Sequence, residues 1–204
     1  ASGLGDGVIA QSPNYHHFFG AAQLSDRHLL KLDNHIVCGQ WQMDFDQLEE
    51  IAAAGAKSLL LCNPHNPVGR ILTRKELETI ADTCLRNNLM ICSDEIHAEI
   101  ILDESKSHIP IATLFPEVAD NTITLLSPSK AFNFPGIGGF AFAVIPNSEL
   151  REDFKAKIHG IATEPGSLAY AAGLAAYRDC DGWLAQQLDY LRENRDLLEA
   201  KVAA

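Results

Sequence analysis

The sequence predicts an α/β fold: a mostly parallel sheet with helices on both faces and one antiparallel strand late in the chain. Three observations carry this. Ser58-Leu59-Leu60-Leu61-Cys62 and Leu89-Met90-Ile91-Cys92 are continuous apolar runs of strand length, the pattern of strands buried on both faces. Between them, Thr73-Arg74-Lys75-Glu76 has the spacing of a capping box, and Leu77, Ile80, Ala81, Cys84 and Leu85 follow at helical spacing. Strand, helix and strand with short connections make a right-handed crossover unit, which lays the two strands parallel.

The other elements follow in chain order. Gly5-Asp6-Gly7 is turn chemistry, and the strand Val8-Ile9-Ala10 stops at Gln11-Ser12-Pro13. Tyr15, His16, His17, Phe18 and Phe19 open a helix to about Gln23. A short strand is expected from His28 to Leu32, whereas Cys38 to Trp41 shows no period and stays unassigned. Asp44 with Gln47 matches a helix N-cap and its reciprocal partner, and that helix ends at Gly55. Beyond the second buried strand lie Ser93-Asp94-Glu95-Ile96-His97, a helical piece at Ile111 to Phe115, and a third, β-branched strand from Asn121 to Leu126. The Gly- and Pro-rich connection to the next strand, Phe140 to Ile145, is too short for a helical crossover, so that strand is expected antiparallel to the third. Leu150, Phe154 and Ile158 form a helical stripe, Glu164-Pro165-Gly166 breaks it, and Ser167 to Tyr177 is an Ala-rich helix. A last helix carries Trp183, Leu184, Leu188, Leu191, Leu197 and Leu198, with Arg192, Glu193 and Arg195 on its other face.

Composition narrows the function classes. The 204 residues are 47% hydrophobic and 21% charged, an ordinary globular balance. A net charge of −11 offers no basic face for a phosphate backbone, so nucleic acid is not an expected partner. The five cysteines have no C-x-x-C spacing, and three of them sit inside apolar runs as small buried hydrophobes do, which reads as a reducing compartment. No window approaches the roughly 18 uninterrupted apolar residues of a membrane span, so a cytoplasmic protein without membrane partners is expected.

Chemistry gathers where strands end. Asn63-Pro64-His65-Asn66-Pro67-Val68-Gly69 is a stiff loop directly after a buried strand, a way to hold an amide still. Asp94 closes the next strand, and Ser127-Pro128-Ser129-Lys130 the third. In an open α/β sheet the ligand lies beyond these carboxyl ends. A buried ammonium is costly, so a lysine at a sheet edge among hydroxyls and near a carboxylate suits a Schiff base more than stability. Lys130 and Asp94 fit the amine and the ring-nitrogen partner of pyridoxal phosphate, Tyr15 could cover the ring, Asn66 could donate to its phenolic oxygen, and Ser127 and Ser129 could bind phosphate. An Asp–Lys ion pair is the simpler reading of the same spacing.

Taken in order, Asn63 to Gly69, Ser93 to His97 and Ser127-Pro128-Ser129-Lys130-Ala131-Phe132-Asn133 resemble the large domain of fold type I pyridoxal-phosphate enzymes. The sequence is most similar to the MalY/PatB-like cystathionine β-lyase (C-S lyase) branch of the class I/II aminotransferase superfamily. The likeness runs from Gly5-Asp6-Gly7-Val8 and Pro13-Asn14-Tyr15 to Tyr190-Leu191-Arg192-Glu193-Asn194-Arg195.

The resemblance implies a PLP-dependent transferase-like large domain over residues 1–178, lacking its N-terminal part, and a connector helix over 179–204 toward a small domain. It implies Lys130 as the lysine that carries pyridoxal 5'-phosphate, Asp94 at the pyridine nitrogen, Asn66 at O3′, Tyr15 against the ring and Ser127 at the phosphate, with Ser129 beside it. His97 stands where this branch carries histidine, either touching the cofactor or lying behind the residues that do. Gly138 takes the place of an arginine that aminotransferases use for phosphate and C-S lyases often lack. The implied reaction is β-elimination on an S-substituted cysteine such as cystathionine, by a homodimer. The alternatives are an aminotransferase, and an inactive fragment or PLP-fold sensor.

Overall fold

A computed structural model describes residues 3–137 and 139–203. Strand β1 (Gly7–Ser12) leads through α1 (His16–Leu24) to β2 (His28–Val37), which lies parallel to it. β3 (Gln40–Met43) turns back antiparallel to β2. α2 (Phe45–Ala53) then returns the chain to the other side of β1, where β4 (Ser58–Cys62) pairs parallel with it. α3 (Arg74–Arg86) leads to β5 (Met90–Asp94), and a 3₁₀ turn (Ile111–Thr113) with α4 (Pro116–Asp120) leads to β6 (Thr122–Leu126), each parallel to the strand before it. α5 (Pro128–Ala131), β7 (Phe142–Val144), α6 (Ser148–Ile158), α7 (Ser167–Asp179) and α8 (Asp181–Val202) complete the chain. The seven strands are ordered β3-β2-β1-β4-β5-β6-β7.

That order fixes where a ligand can sit. The chain leaves β1 toward β2 on one side and comes back to β4 on the other, so the connections after β1 and β4 diverge from neighbouring carboxyl ends. Divergence of this kind opens the crevice that α/β sheets use for binding.

Two expectations are corrected in the sheet. β2 runs five residues past Leu32 and forms a hairpin with β3 in the stretch that showed no period. Its turn is Cys38-Gly39, both left-handed at φ 51 and 74, the geometry of a two-residue hairpin turn where Asn-Gly is the usual signal. A cysteine there announces nothing. The strand after the lysine is also shorter than expected, three residues beside β6 at the sheet edge.

The chain divides into two compact units. The first holds the residues up to Glu95, Ile109–Leu125 and Ala143–Ala162; the second holds Ile96–His108, Leu126–Phe142 and the residues from Thr163 on. In the first, Ile9, Leu32, Leu59, Leu61 and Ile91 from the sheet pack with Leu48 of α2 and with Leu77, Ile80 and Cys84 of α3. Truncating one such fully buried leucine to alanine costs about 2–5 kcal/mol. In the second, Ala131 and Phe132 pack with Ala176 of α7, and the Phe132 ring lies 5.7 Å from Tyr177 and 6.4 Å from Trp183. Gly173 sits mid-helix in α7 because a Cβ there would come within 3.0 Å of the Phe140 ring. α6 and α8 form as expected but bury no residue fully, and Leu197 and Leu198 remain 59% and 65% exposed. No helix among the described residues is long and apolar enough to cross a membrane, and all five cysteines are free.

Both N-caps read from the sequence are present, but Gln47 is not the reciprocal partner of Asp44: its Oε1 accepts from Asp33 N at 2.6 Å, and Asp44 N donates to Asp33 O at 3.1 Å. Asp44 accepts from Gln47 N at 2.9 Å, and the Thr73–Glu76 box is reciprocal, Thr73 N donating to Glu76 at 2.8 Å. Thr73→Ala is expected to lower the unfolding free energy by about 1 kcal/mol in urea titration, since one first-turn donator loses its acceptor.

Candidate active site

Three of the expected residues lie in the first unit. Asn66 is in the loop after β4, Asp94 ends β5, and Tyr15 opens α1 just after β1. Tyr15 is 41% exposed, its ring 4.7 Å from His16 and 4.8 Å from His17. Asn66 and Asp94 are half-buried.

What ties these residues together is a set of polar groups absent from the expected site. The strand end supplies Gln11, 1% exposed, whose Oε1 accepts from Cys62 N at 2.8 Å. His65, 4% exposed, lies with Nε2 2.9 Å from Pro13 O and Nδ1 3.5 Å from Gln11 Nε2. A carbonyl can only accept, so Nε2 carries the proton and donates to Pro13, and Nδ1 accepts from the Gln11 amide. Asn63, also buried, donates its N–H to Asp94 O at 3.1 Å and accepts from Leu72 N at 2.9 Å through Oδ1. The loop closes on itself as well, Gly69 N donating to His65 O at 2.7 Å. One brace therefore joins the Tyr15 segment to the Asn66 loop, and another joins that loop to the end of β5.

Electrostatics agree with this packing. Burial first, and the charge of the adjacent Asp94 after it, push the Cys62 thiol up to about 11 and the Cys92 thiol up to about 12. Both stay protonated at neutral pH. Burial, opposed by the bond to Pro13 and aided by Arg70, holds the His65 imidazole down from 6.5 to about 4. Unfolded chains take up this proton below pH ~6.5 and the folded chain only below ~4, so the stabilisation is full above 6.5 and is lost as pH falls. At about 1.4 kcal/mol per unit the loss amounts to roughly 3 kcal/mol. Urea titrations at pH 7 and 4.5 should show a fall that is smaller in His65→Gln; equal falls would remove His65 as the cause.

The other expected residues lie in the second unit. His97 sits half-buried in the turn after β5, its carbonyl accepting from Ile100 N at 2.9 Å. Ser127 caps α5, and Ser129 and Lys130 lie on that single helical turn. Ser127 Oγ is 2.5 Å from Phe140 O and 2.8 Å from Ser129 Oγ. With one proton per hydroxyl, Ser127 donates to the carbonyl and Ser129 donates to Ser127. Lys130 is exposed, which corrects the expectation of a buried ammonium: on this short turn Pro128 and Ala131 face inward and the lysine does not. Asn133 closes the turn at φ 53, and Phe134 N donates to Ser129 O at 3.1 Å. Gly138, where an arginine was considered, lies outside the described residues.

Gln11, Asn63 and His65 are the residues that motif reading passed over. Asn63 and His65 stood inside a quoted motif, and a glutamine closing an apolar strand was their one other signal.

Comparison with known proteins follows the same residues. The family model for aminotransferase class I and II matches residues 2–204. The chain is 33% identical to the cystathionine beta-lyase PatB of Bacillus subtilis over 199 residues, 96% of this chain and 51% of that protein. Among solved structures, cystalysin from Treponema denticola, which contains a pyridoxal 5'-phosphate cofactor, superposes with a TM-score of 0.92 at 34% identity, over 97% of this chain and 50% of that one. OvoB superposes with a TM-score of 0.90 at 43% identity, over 95% and 51%. The chain spans about half the length of the curated relatives it matches. Its architecture is that of the fold type I pyridoxal-phosphate enzymes. By the span of the family model and these likenesses, the chain belongs to the aminotransferase class I and II family.

Proposed function

We propose that the protein is a pyridoxal-phosphate-dependent C-S β-lyase that cleaves cystathionine or related S-substituted cysteines to a thiol, pyruvate and ammonia. The observation that carries this reading is the likeness to a cystathionine β-lyase across nearly the whole chain, with Asp94 at the end of a parallel strand and Asn66 and Lys130 each just past the end of one.

The residues present fit the cofactor. Asp94 brings a carboxylate to the end of β5, beside its register partner Cys62, the type of group a ring N–H would need as acceptor. Asn14 Nδ2, one residue before Tyr15, is enclosed without a hydrogen-bonding partner, a donor suited to an incoming polar ligand. When bound, pyridoxal phosphate supplies an electron sink for the pair released at the substrate α-carbon. Asp94 would accept the ring N–H, Asn66 would donate its amide to the ring oxygen, and Tyr15 would cover one ring face. Ser129 can turn its proton from Ser127 to the phosphate, while Ser127 keeps its bond to Phe140 and holds the turn. His97 would touch the ring or support the residues that do. Lys130 would take the α-proton onto Nζ as general base. Residues 1–178 would form the cofactor-binding domain and 179–204 a connector, within a cytoplasmic homodimer.

Aminotransferases among the relatives support a second reading with the same residues. The two are separated by incubating the purified protein with pyridoxal phosphate and L-cystathionine. Equimolar pyruvate and thiol are expected. Exchange of amino acid against keto acid without pyruvate would make it an aminotransferase, and neither product in the presence of a bound-cofactor absorbance would leave a sensor.

A further inference from the structure

We infer that His65 is a positioning residue that sets the Tyr15 ring relative to Asn66, so that the two grip a flat ligand from its face and its edge. This rests on the proposed cofactor reading.

The argument starts from the topology. Tyr15 and Asn66 sit on the two connections that diverge at the β1–β4 switch, and β1 and β4 pair only from Val8 to Ala10 on one side and Ser58 to Leu60 on the other. Beyond those pairs the ladder sets nothing. Past them the cross-links include the Gln11–Cys62 and Gln11–His65 bonds and, farthest along both segments, the bond of His65 to Pro13, which is the one that matters here. It falls two residues before Tyr15 and one before Asn66, closer to both than any ladder pair. A face contact and an edge contact on one aromatic ring must agree to within about 0.5 Å, which two free loops would not hold.

Other uses of this imidazole are weaker. Both ring nitrogens are committed, and burial keeps the ring neutral through the physiological range, so it is no proton carrier. Among the described residues it belongs to no cluster of three or more His, Cys, Asp or Glu that could hold a metal. If the site needed only filling, a leucine would fill it without the cost of desolvating a polar ring. A buried His with directional bonds at both ends specifies a distance and an angle instead.

The test is a double-mutant cycle on the full protein, read by pyridoxal-phosphate titration and by the visible circular dichroism of the bound cofactor, well below the melting temperature. His65→Leu is expected to weaken binding about tenfold, the lower end of what losing a ligand's outer support costs, and to reduce the dichroic band. His65→Gln, which can still donate to Pro13, should recover most of both. In a Tyr15→Ala background His65→Leu should add little, because its effect runs through Tyr15. Gln11→Met, which withdraws the Nδ1 partner together with the acceptor of Cys62 N, should shift both readouts in the same direction and likewise add little in the Tyr15→Ala background, and it decides the matter where His65→Leu does not fold. Unchanged affinity and dichroism in these variants, or a full additional loss in the Tyr15→Ala background, would overturn the inference. Failure of the unmodified protein to bind pyridoxal phosphate at all would overturn the cofactor reading and this inference with it, a different outcome from binding that ignores His65.

Discussion

Lys130→Ala is expected to abolish pyruvate release from cystathionine while leaving the fold intact. Two contributions are lost together. On the proposed reading Lys130 is the general base at the α-carbon, worth about 10²–10⁴ in rate, and also the amine that would attach the cofactor. Lys130→Arg should do no better, because a guanidinium stays protonated and cannot serve either role. Lys130 is exposed on a one-turn helix whose inward residues are Pro128 and Ala131, so the substitution should change stability by less than about 0.5 kcal/mol. Inactivity would then be chemical. Borohydride reduction followed by peptide mapping should label residue 130 in the parent protein and not in the variant. A variant that keeps its rate within about tenfold would place the base elsewhere.

How much of this was legible depends on whether a signal is local. β4 and β5 could be read because their apolar runs are continuous, β4 buried on both faces and β5 buried on one and half-buried on the other, and Thr73 with Glu76 because a cap spans three residues. The polar groups following those strands were legible for the same reason: a buried run that stops abruptly marks its own carboxyl end. The β2–β3 hairpin was not, since it is an edge element with mixed polar faces and a Cys-Gly turn. Lys130 was placed correctly along the chain but not in its burial, because which side of a four-residue helix faces inward has no period to read. The brace was the least legible part. His65 meets Gln11 across 54 positions and Pro13 across 52, and a pairing of that range exists only once the strand order has brought β1 and β4 together. Sequence motifs thus named polar groups at the strand ends, and the fold was needed to show which buried groups, Gln11, Asn63 and His65, cross-link the loops that carry them.

Asp94→Asn should separate the cofactor's electrostatics from its attachment. The side chain keeps its shape, and the backbone bond from Asn63 N to Asp94 O does not depend on the carboxylate, so the β5 end should stay in place. What changes is charge. Removing one partner of a desolvated, hydrogen-bonded charged pair costs about 2–5 kcal/mol. Cofactor affinity and pyruvate release should fall by at least about thirtyfold, with Lys130 still labelled by borohydride. An independent readout lies in the same strands. Cys62 is the register partner of Asp94 on β4, Cys92 precedes it on β5, and its charge contributes to holding both thiols up at about 11 and about 12. A neutral asparagine lifts that repulsion on each thiolate, so both should titrate lower by ultraviolet absorbance, though burial, the larger cause, keeps them above an ordinary thiol. Lower thiol values with unchanged cofactor affinity would show that Asp94 is charged but not the ring's partner. Lower thiol values together with weakened binding tie one carboxylate to both effects.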